Sequence, residues 1–325
     1  MGLALGSVVL VGGSVAASSL VAGYPVLGGQ AMRYVVAGLA LAAWARFRRQ
    51  QLPLPAGRDW LWLAALALIG FAGCSVMMVK ATEVADPAGV GVVIGTAPLV
   101  IVIVAARAAR LRPTGRLVIA ATLVALGSAA AQLGTGRLGI GHVGIGQVGQ
   151  GPLFGTSGFL LSLGVLAGVV GSTLLAAPLL PRLGALAVTT YGCVIAGAAL
   201  LVAAGIVSLT DGSPILAMPT GVELGSLAYL AIVVTAAVFI AWYGAMERLG
   251  TSRTGLFNGL IPITSLIAVA LVGTGSITPM RVVGALAVLA GVVLGLAGRS
   301  DDSARDRQRR SRSSTVVSSS SAASA

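Results

Sequence analysis

Apolar runs of about twenty residues recur ten times along this chain, and each is long enough to cross a hydrocarbon core of roughly 30 Å as a helix. One such run could be an anchor or a signal; ten define a fold class. In lipid every backbone N–H and C=O must find its partner inside its own segment or in a closed barrel, so the chain is expected to be all-α, a polytopic bundle of ten transmembrane helices. The runs fall at residues 3–22, 27–46, 60–81, 87–107, 115–133, 156–178, 184–208, 222–245, 253–273 and 280–298. Turn chemistry separates them: Pro25, the Leu-Pro-Leu-Pro-Ala-Gly stretch ending at Gly57, Asp86-Pro87, Pro113, Pro181, Asp211-Gly212 and Pro279. With 57% hydrophobic and 9% charged residues, a polar shell around a soluble core of this size is excluded. The first run has no Lys or Arg before it, which favours an uncleaved helix over a signal peptide.

The stretch GTGRLGIGHVGIGQVGQGPL, residues 134–153, contains three overlapping G-x-G-x-x-G matches. A phosphate-cradling glycine turn follows a strand, opens a helix and has an acidic partner about twenty residues on. Here the next segment is an apolar span, and no Asp or Glu occurs between Asp86 and Asp211. The stretch is therefore expected to be a linker, residues 134–155. Cys74 and Cys193 lie inside apolar runs and His142 is the single histidine, so no metal constellation and no cofactor is expected. After Arg299 the composition becomes Ser, Arg, Asp and Ala, which predicts a solvated tail over residues 299–325.

An internal repeat organises the rest. A shift of 164 residues places Ala81 and Glu83 on Ala245 and Glu247, Gly91 and Gly95 on Gly255 and Gly259, and Pro98 on Pro262. Shifts of 158 and 159 pair Gly13-Ser14 with Gly171-Ser172 and Ala37-Gly38 with Ala196-Gly197. Each half, 1–133 and 156–298, thus holds five helices, and an odd number per half requires the second to sit inverted. Arginine placement tests this independently. With the N-terminus in the cytoplasm, cytoplasmic segments collect seventeen arginines, among them Arg46, Arg48, Arg49, Arg107 and Arg248, against Arg137 and Arg281 outside. The net charge of +12 is thereby read as topology and not as a nucleic-acid surface. Both termini are expected in the cytoplasm.

Three stretches resemble the drug/metabolite transporter superfamily, EamA-type branch: PVLGGQAMRYVVAGLAL with its arginine near the start, VKATEVADPAGVGVVIGTAPLVIVIV, and GLIPITSLIAVALVGTGSITPMRVVGALAVLAGV. The resemblance covers residues 5–298 and implies ten helices in two inverted five-helix repeats. It implies a plasma-membrane transporter, not an enzyme, that moves small organic solutes, metabolite-like or amino-acid-like, in the efflux direction. A small-molecule substrate and the lipid bilayer are the implied partners, and no residue pattern specifies an oligomeric state. The family's Gly-Glu pair before the fifth and tenth helices is missing, with Leu111 and Gly275 in its place. A non-transporting membrane protein, an assembly partner or a lipid-handling factor, is the alternative class.

Inverted-repeat transporters hold substrate near the midplane where helices are interrupted. Pro98 and Pro262 are the symmetric interruptions; each removes an amide donor, and Asn258 supplies a side-chain amide beside the second. Bending of packed helices is the alternative role for both prolines. Arg33, charged within a span, could orient a carboxylate or phosphate, or could snorkel to the headgroups. Met77, Tyr191, Trp242 and Tyr243 could line an amphipathic cavity, or pack. Ser172 and Thr173 sit among small residues, which predicts close helix contact. Lys80, Glu83 and Asp86 are expected to form a neutralising surface group.

Overall fold

A computed structural model describes residues 2–7, 10, 24–84, 87–108, 114–133, 156–212, 214–260 and 279–297. Among them there is no strand. Residues 2–7 form α1. Helix α2 is Val26–Phe47, and α3 runs through Arg58–Ala65, Leu66–Gly73 and Cys74–Val84. Helix α4 is broken into Pro87–Gly95 and Ala97–Ala108, α5 is Gly115–Leu133, α6 is Thr156–Leu174 and α7 is Leu180–Asp211. Helix α8 runs through Gly221–Tyr229, Leu230–Ala237 and Val238–Leu249; α9 is Thr251–Leu256, continued by a 3₁₀ turn over Phe257–Leu260; α10 is Pro279–Ala297.

Among the described residues, five helices are long and apolar enough to cross a membrane: Val26–Phe47, Arg58–Ala81, Ser157–Leu174, Leu180–Asp211 and Gly221–Leu249. Shorter apolar helices cover Ala97–Ala108, Gly115–Ala130 and Val282–Gly295. Leu39, Leu126, Leu160, Val202 and Leu286 project outward from five different helices. Such an apolar periphery around an apolar core is stable only with hydrocarbon outside. The Gly-rich stretch, the tail, Asp86, Leu111, Pro262 and Gly275 lie outside the described residues.

The sequence repeat reappears as reciprocal contacts between the halves. A Cβ added to Gly38 on α2 would meet Val194 Cγ2 of α7 at 2.8 Å, and one added to Gly197 on α7 would meet Val35 Cγ2 of α2 at 2.7 Å. The second contact is the first with each residue exchanged for its mate 159 positions away. Helices α5 and α10 do the same: a Cβ added to Gly127 would fall 2.7 Å from the Gly284 carbonyl oxygen, and one added to Gly291 would fall 2.7 Å from that of Ala120, each contact related to the other by 164 residues. In both pairs the numbering rises along one helix as it falls along the other, so the mates are antiparallel. Antiparallel mates exchange contacts in this way only about a two-fold axis lying across the helices, which inverts one half relative to the other. Glycine is needed at these crossings because any side chain would hold the backbones apart.

Helices α3 and α8 carry an irregularity that the apolar pattern did not predict. Leu66–Gly73 and Leu230–Ala237 are π-helical, and the two segments are separated by 164 residues at both ends. Their starts match too. The Ala56 N–H donates to Asp59 Oδ2 at 3.2 Å, and the mated Thr220 N–H donates to Glu223 Oε2 at 2.8 Å, where a full capping box closes the turn. Helix α4 breaks at Thr96, whose Oγ1 donates to the Val93 carbonyl at 2.7 Å. Helix α7, expected from residue 184, contains a first turn ahead of a kink at Gly184, which has φ 76°. That left-handed geometry suits glycine.

Candidate functional site

The halves meet where α2, α3, α7 and α8 cross. Arg33 lies seven positions into α2, roughly 10 Å along it at 1.5 Å per residue. Its Nε donates to Thr235 Oγ1 at 2.5 Å, and one terminal nitrogen reaches Gln30 Oε1 at 3.5 Å. Thr235 in turn donates to the Leu230 carbonyl five residues back, at 2.9 Å. That spacing belongs to the π turn, which leaves carbonyls facing sideways and recurs at functional positions. Among the described residues no carboxylate lies within ion-pair distance of Arg33. Its guanidinium instead lies 5.7 Å from the centre of the Tyr34 ring.

An aromatic row continues from that ring. Tyr34 stacks on Phe71 with centroids 5.8 Å apart, Phe71 on Phe239 at 4.3 Å, and Phe239 on Tyr243 at 5.8 Å. Tyr34 Oη donates to the Phe71 carbonyl at 3.1 Å and lies 2.6 Å from Ser75 Oγ. Tyr243 Oη donates to the Ser172 carbonyl at 3.0 Å. Buried phenols are thus satisfied by backbone oxygens, and the row joins α2, α3, α8 and α6. The mates of Arg33 and Thr235 are Gly192 and Phe71, and they meet without a polar atom: a Cβ on Gly192 would fall 2.8 Å from Phe71 Cε2. The charge is therefore on one side of the pseudo-two-fold axis.

The expected site residues are distributed. Arg33 and Tyr243 are joined through the aromatic row, and Trp242 is buried beside Tyr243 in the same core. Tyr191 lies elsewhere, its ring 6.0 Å from that of Trp60. Met77 packs its sulfur against Gly164 of α6 and is partly exposed. Pro98 is buried just beyond the break at Thr96, and Asn258 is half-buried in the 3₁₀ turn. Tyr34, Phe71, Thr235 and Phe239 were not anticipated. Phe71 and Thr235 occupy mated positions, and that register was the available signal.

The two ends of the interface differ. At one end Tyr24 Oη donates to the Ala217 carbonyl at 2.8 Å, and a Cβ on Gly28 would fall on the Ile215 carbonyl oxygen. At the other end, which carries Arg248, a cleft of about 670 Å³ opens between the loop at Gln50–Pro53, the start of α7 and the end of α8. Glu247 beside it accepts the Ala185 N–H at 2.8 Å. Nearby, Arg182 pairs with Asp59 at 2.7 Å, and the Asp59 side chain is only 6% exposed. The other described acids lie at helix ends, Glu83, Asp211 and Glu247 exposed and Glu223 half-exposed. Lys80 and Glu83 pair at 2.9 Å on the surface. Gly70 of α3 abuts Ser172 of α6, where a Cβ would lie 2.8 Å from Ser172 Cα, so the small residues there serve close contact.

No curated protein matches the chain significantly. A crystal structure of another protein shares the fold, with a TM-score of 0.73 at 18% identity over 90% of this chain and 94% of that one. The pattern of the EamA-like transporter family matches residues 1–131 and again residues 156–296. Two matches to one family, in halves that exchange antiparallel contacts, agree with the repeat in both sequence and geometry. The chain belongs to the EamA-like transporter family, a family of membrane transporters of small solutes.

Proposed function

We propose that this protein sits in the plasma membrane with ten spans and both termini in the cytoplasm, and exports small organic solutes, metabolite-like or amino-acid-like. Transport proceeds by alternating access between the inverted halves. The observation that carries this reading is the Arg33–Thr235 bond. It sets a guanidinium with no carboxylate partner among the described residues at the junction of the halves, against a helix whose backbone is irregular at that turn. A charge inside a span is expensive unless it is paired, hydrated or used, and an anionic group on a solute would complete it. Trp242 and Tyr243 extend the same region, and Pro98 and Asn258, on the interrupted helices, are further candidates. Met77, Tyr191 and Pro262 remain candidate contacts along the path.

The test is an untargeted comparison of metabolites retained by cells with and without the protein. Depletion of a defined group of acidic or zwitterionic solutes from expressing cells, reversed by loss of the protein, supports export. An unchanged profile with the protein correctly inserted contradicts it.

A further inference from the structure

The pseudo-two-fold axis allows the two ends of the interface to be compared residue by residue. The loop Leu52-Pro-Leu-Pro-Ala-Gly57 corresponds to Leu216-Ala-Met-Pro-Thr-Gly221, with Leu52, Pro55 and Gly57 on Leu216, Pro219 and Gly221. The start of α2 corresponds to the start of the main part of α7 at the 159-residue shift already set by the Val35–Gly197 and Gly38–Val194 contacts. Tyr24, Gly28, Ile215 and Ala217 therefore have as mates Leu183, Ala187, Gln51 and Pro53. The first four form the docked contact described above. All four mates line the open cleft.

We infer that these are the two mouths of one permeation path, seen with the mouth at Gln51 and Ala187 open and the mouth at Gly28 and Ile215 latched. The latch is chemical as well as steric. Tyr24 offers a hydroxyl to the Ala217 carbonyl, whereas its mate Leu183 has none to offer Pro53. Gly28 lets the loop backbone lie directly on α2, whereas the Cβ of its mate Ala187 blocks an equally close approach. The mouth at Gln51 therefore closes less tightly than its counterpart. The protein rests open towards the arginine-rich end, and solute enters from there. This rests on the transport reading above, and it adds which mouth is shut and which residues shut it.

Leu27 and Leu186 are mates by the same shift. Leu186 lines the cleft, and Leu27, half-buried against the core, directly precedes Gly28, on which the loop is docked. Single cysteines at these two positions, in protein lacking Cys74 and Cys193, serve as reporters for an impermeant maleimide applied to either face of membrane vesicles. Leu186→Cys is expected to react from the cytoplasmic face, and Leu27→Cys to be protected from the external face. Tyr24→Phe, and independently Gly28→Ala, should raise external labelling of Leu27→Cys about fivefold or more, the equivalent of losing one hydrogen bond, and should lower that of Leu186→Cys. Protection of Leu27→Cys that survives both latch variants overturns the assignment of the mouths. Labelling of Leu27→Cys that rises while Leu186→Cys stays unchanged supports the latch but contradicts alternating access.

Discussion

Arg33 on α2 donates from Nε to Thr235 on α8, 2.5 Å away, and no equivalent bond exists at the mated pair, Gly192 and Phe71. A transporter built from two copies of one fold thereby carries a charged anchor on one side of its pseudo-two-fold axis and none at the mated position. If the guanidinium receives an anionic group, Arg33→Gln lowers transport of acidic or zwitterionic solutes by about tenfold, one charge-assisted hydrogen bond's worth, while neutral solutes change little. Thr235→Val keeps the charge but frees its orientation, and should fall between Arg33→Gln and the wild type. Equal losses for all solutes in both variants would assign the pair a purely structural role. The measurement is solute-by-solute flux in liposomes at matched protein level.

The buried carboxylate of Asp59 supports a second prediction. It accepts from the Ala56 N–H and from Arg182, whose own side chain is largely exposed. Removing the cation strands a desolvated charge, although the hydrated position of Arg182 moderates the effect. Arg182→Gln should cost about 1 to 2 kcal/mol of stability, Asp59→Asn less, and the double variant no more than Arg182→Gln alone. Thermal unfolding of the purified protein in detergent reads all three. Additive losses would show that the pair is not coupled.

Close crossing of the halves supports a third. Gly38→Ala sets a Cβ against Val194, and Gly197→Ala sets one against Val35. Each should destabilise by about 1 to 3 kcal/mol through overpacking. Val194→Ala should rescue the first and Val35→Ala the second, in matched amounts, because the contacts are mates. Unequal or absent rescue in melting temperature would contradict the reciprocal packing.

The membrane character, the two halves and the repeat register were legible in residue order because each depends on patterns that survive divergence: apolar length, glycine at crossings, and an offset of 164 residues. The same offset relates the π segments of α3 and α8, yet nothing in LALIGFAG or LAIVVTAA announces a π turn. Side-chain periodicity cannot distinguish an extra backbone residue in an all-apolar run. For the same reason Arg33 stood out as a charge in a span, while its partner Thr235 and the row Tyr34, Phe71 and Phe239 were hidden among ordinary apolar neighbours. Asp59 stands at a helix start, and its pairing with Arg182, 123 residues away, follows from the fold and not from residue order.

Export by this protein is expected to run down the solute's own gradient, by facilitated diffusion or exchange. The described spans carry no carboxylate in their middle thirds, and the buried Asp59 sits at a helix start paired with Arg182, so no acid of the described spans lies at mid-depth to exchange a proton for substrate. The most direct measurement is flux of a solute identified by the metabolite comparison into liposomes containing the purified protein. Saturable uptake that follows the solute gradient, is accelerated by solute on the far side, and is little affected by a pH gradient at zero membrane potential is the predicted result. Flux no greater than in protein-free liposomes, with the protein shown to be folded, would contradict the account.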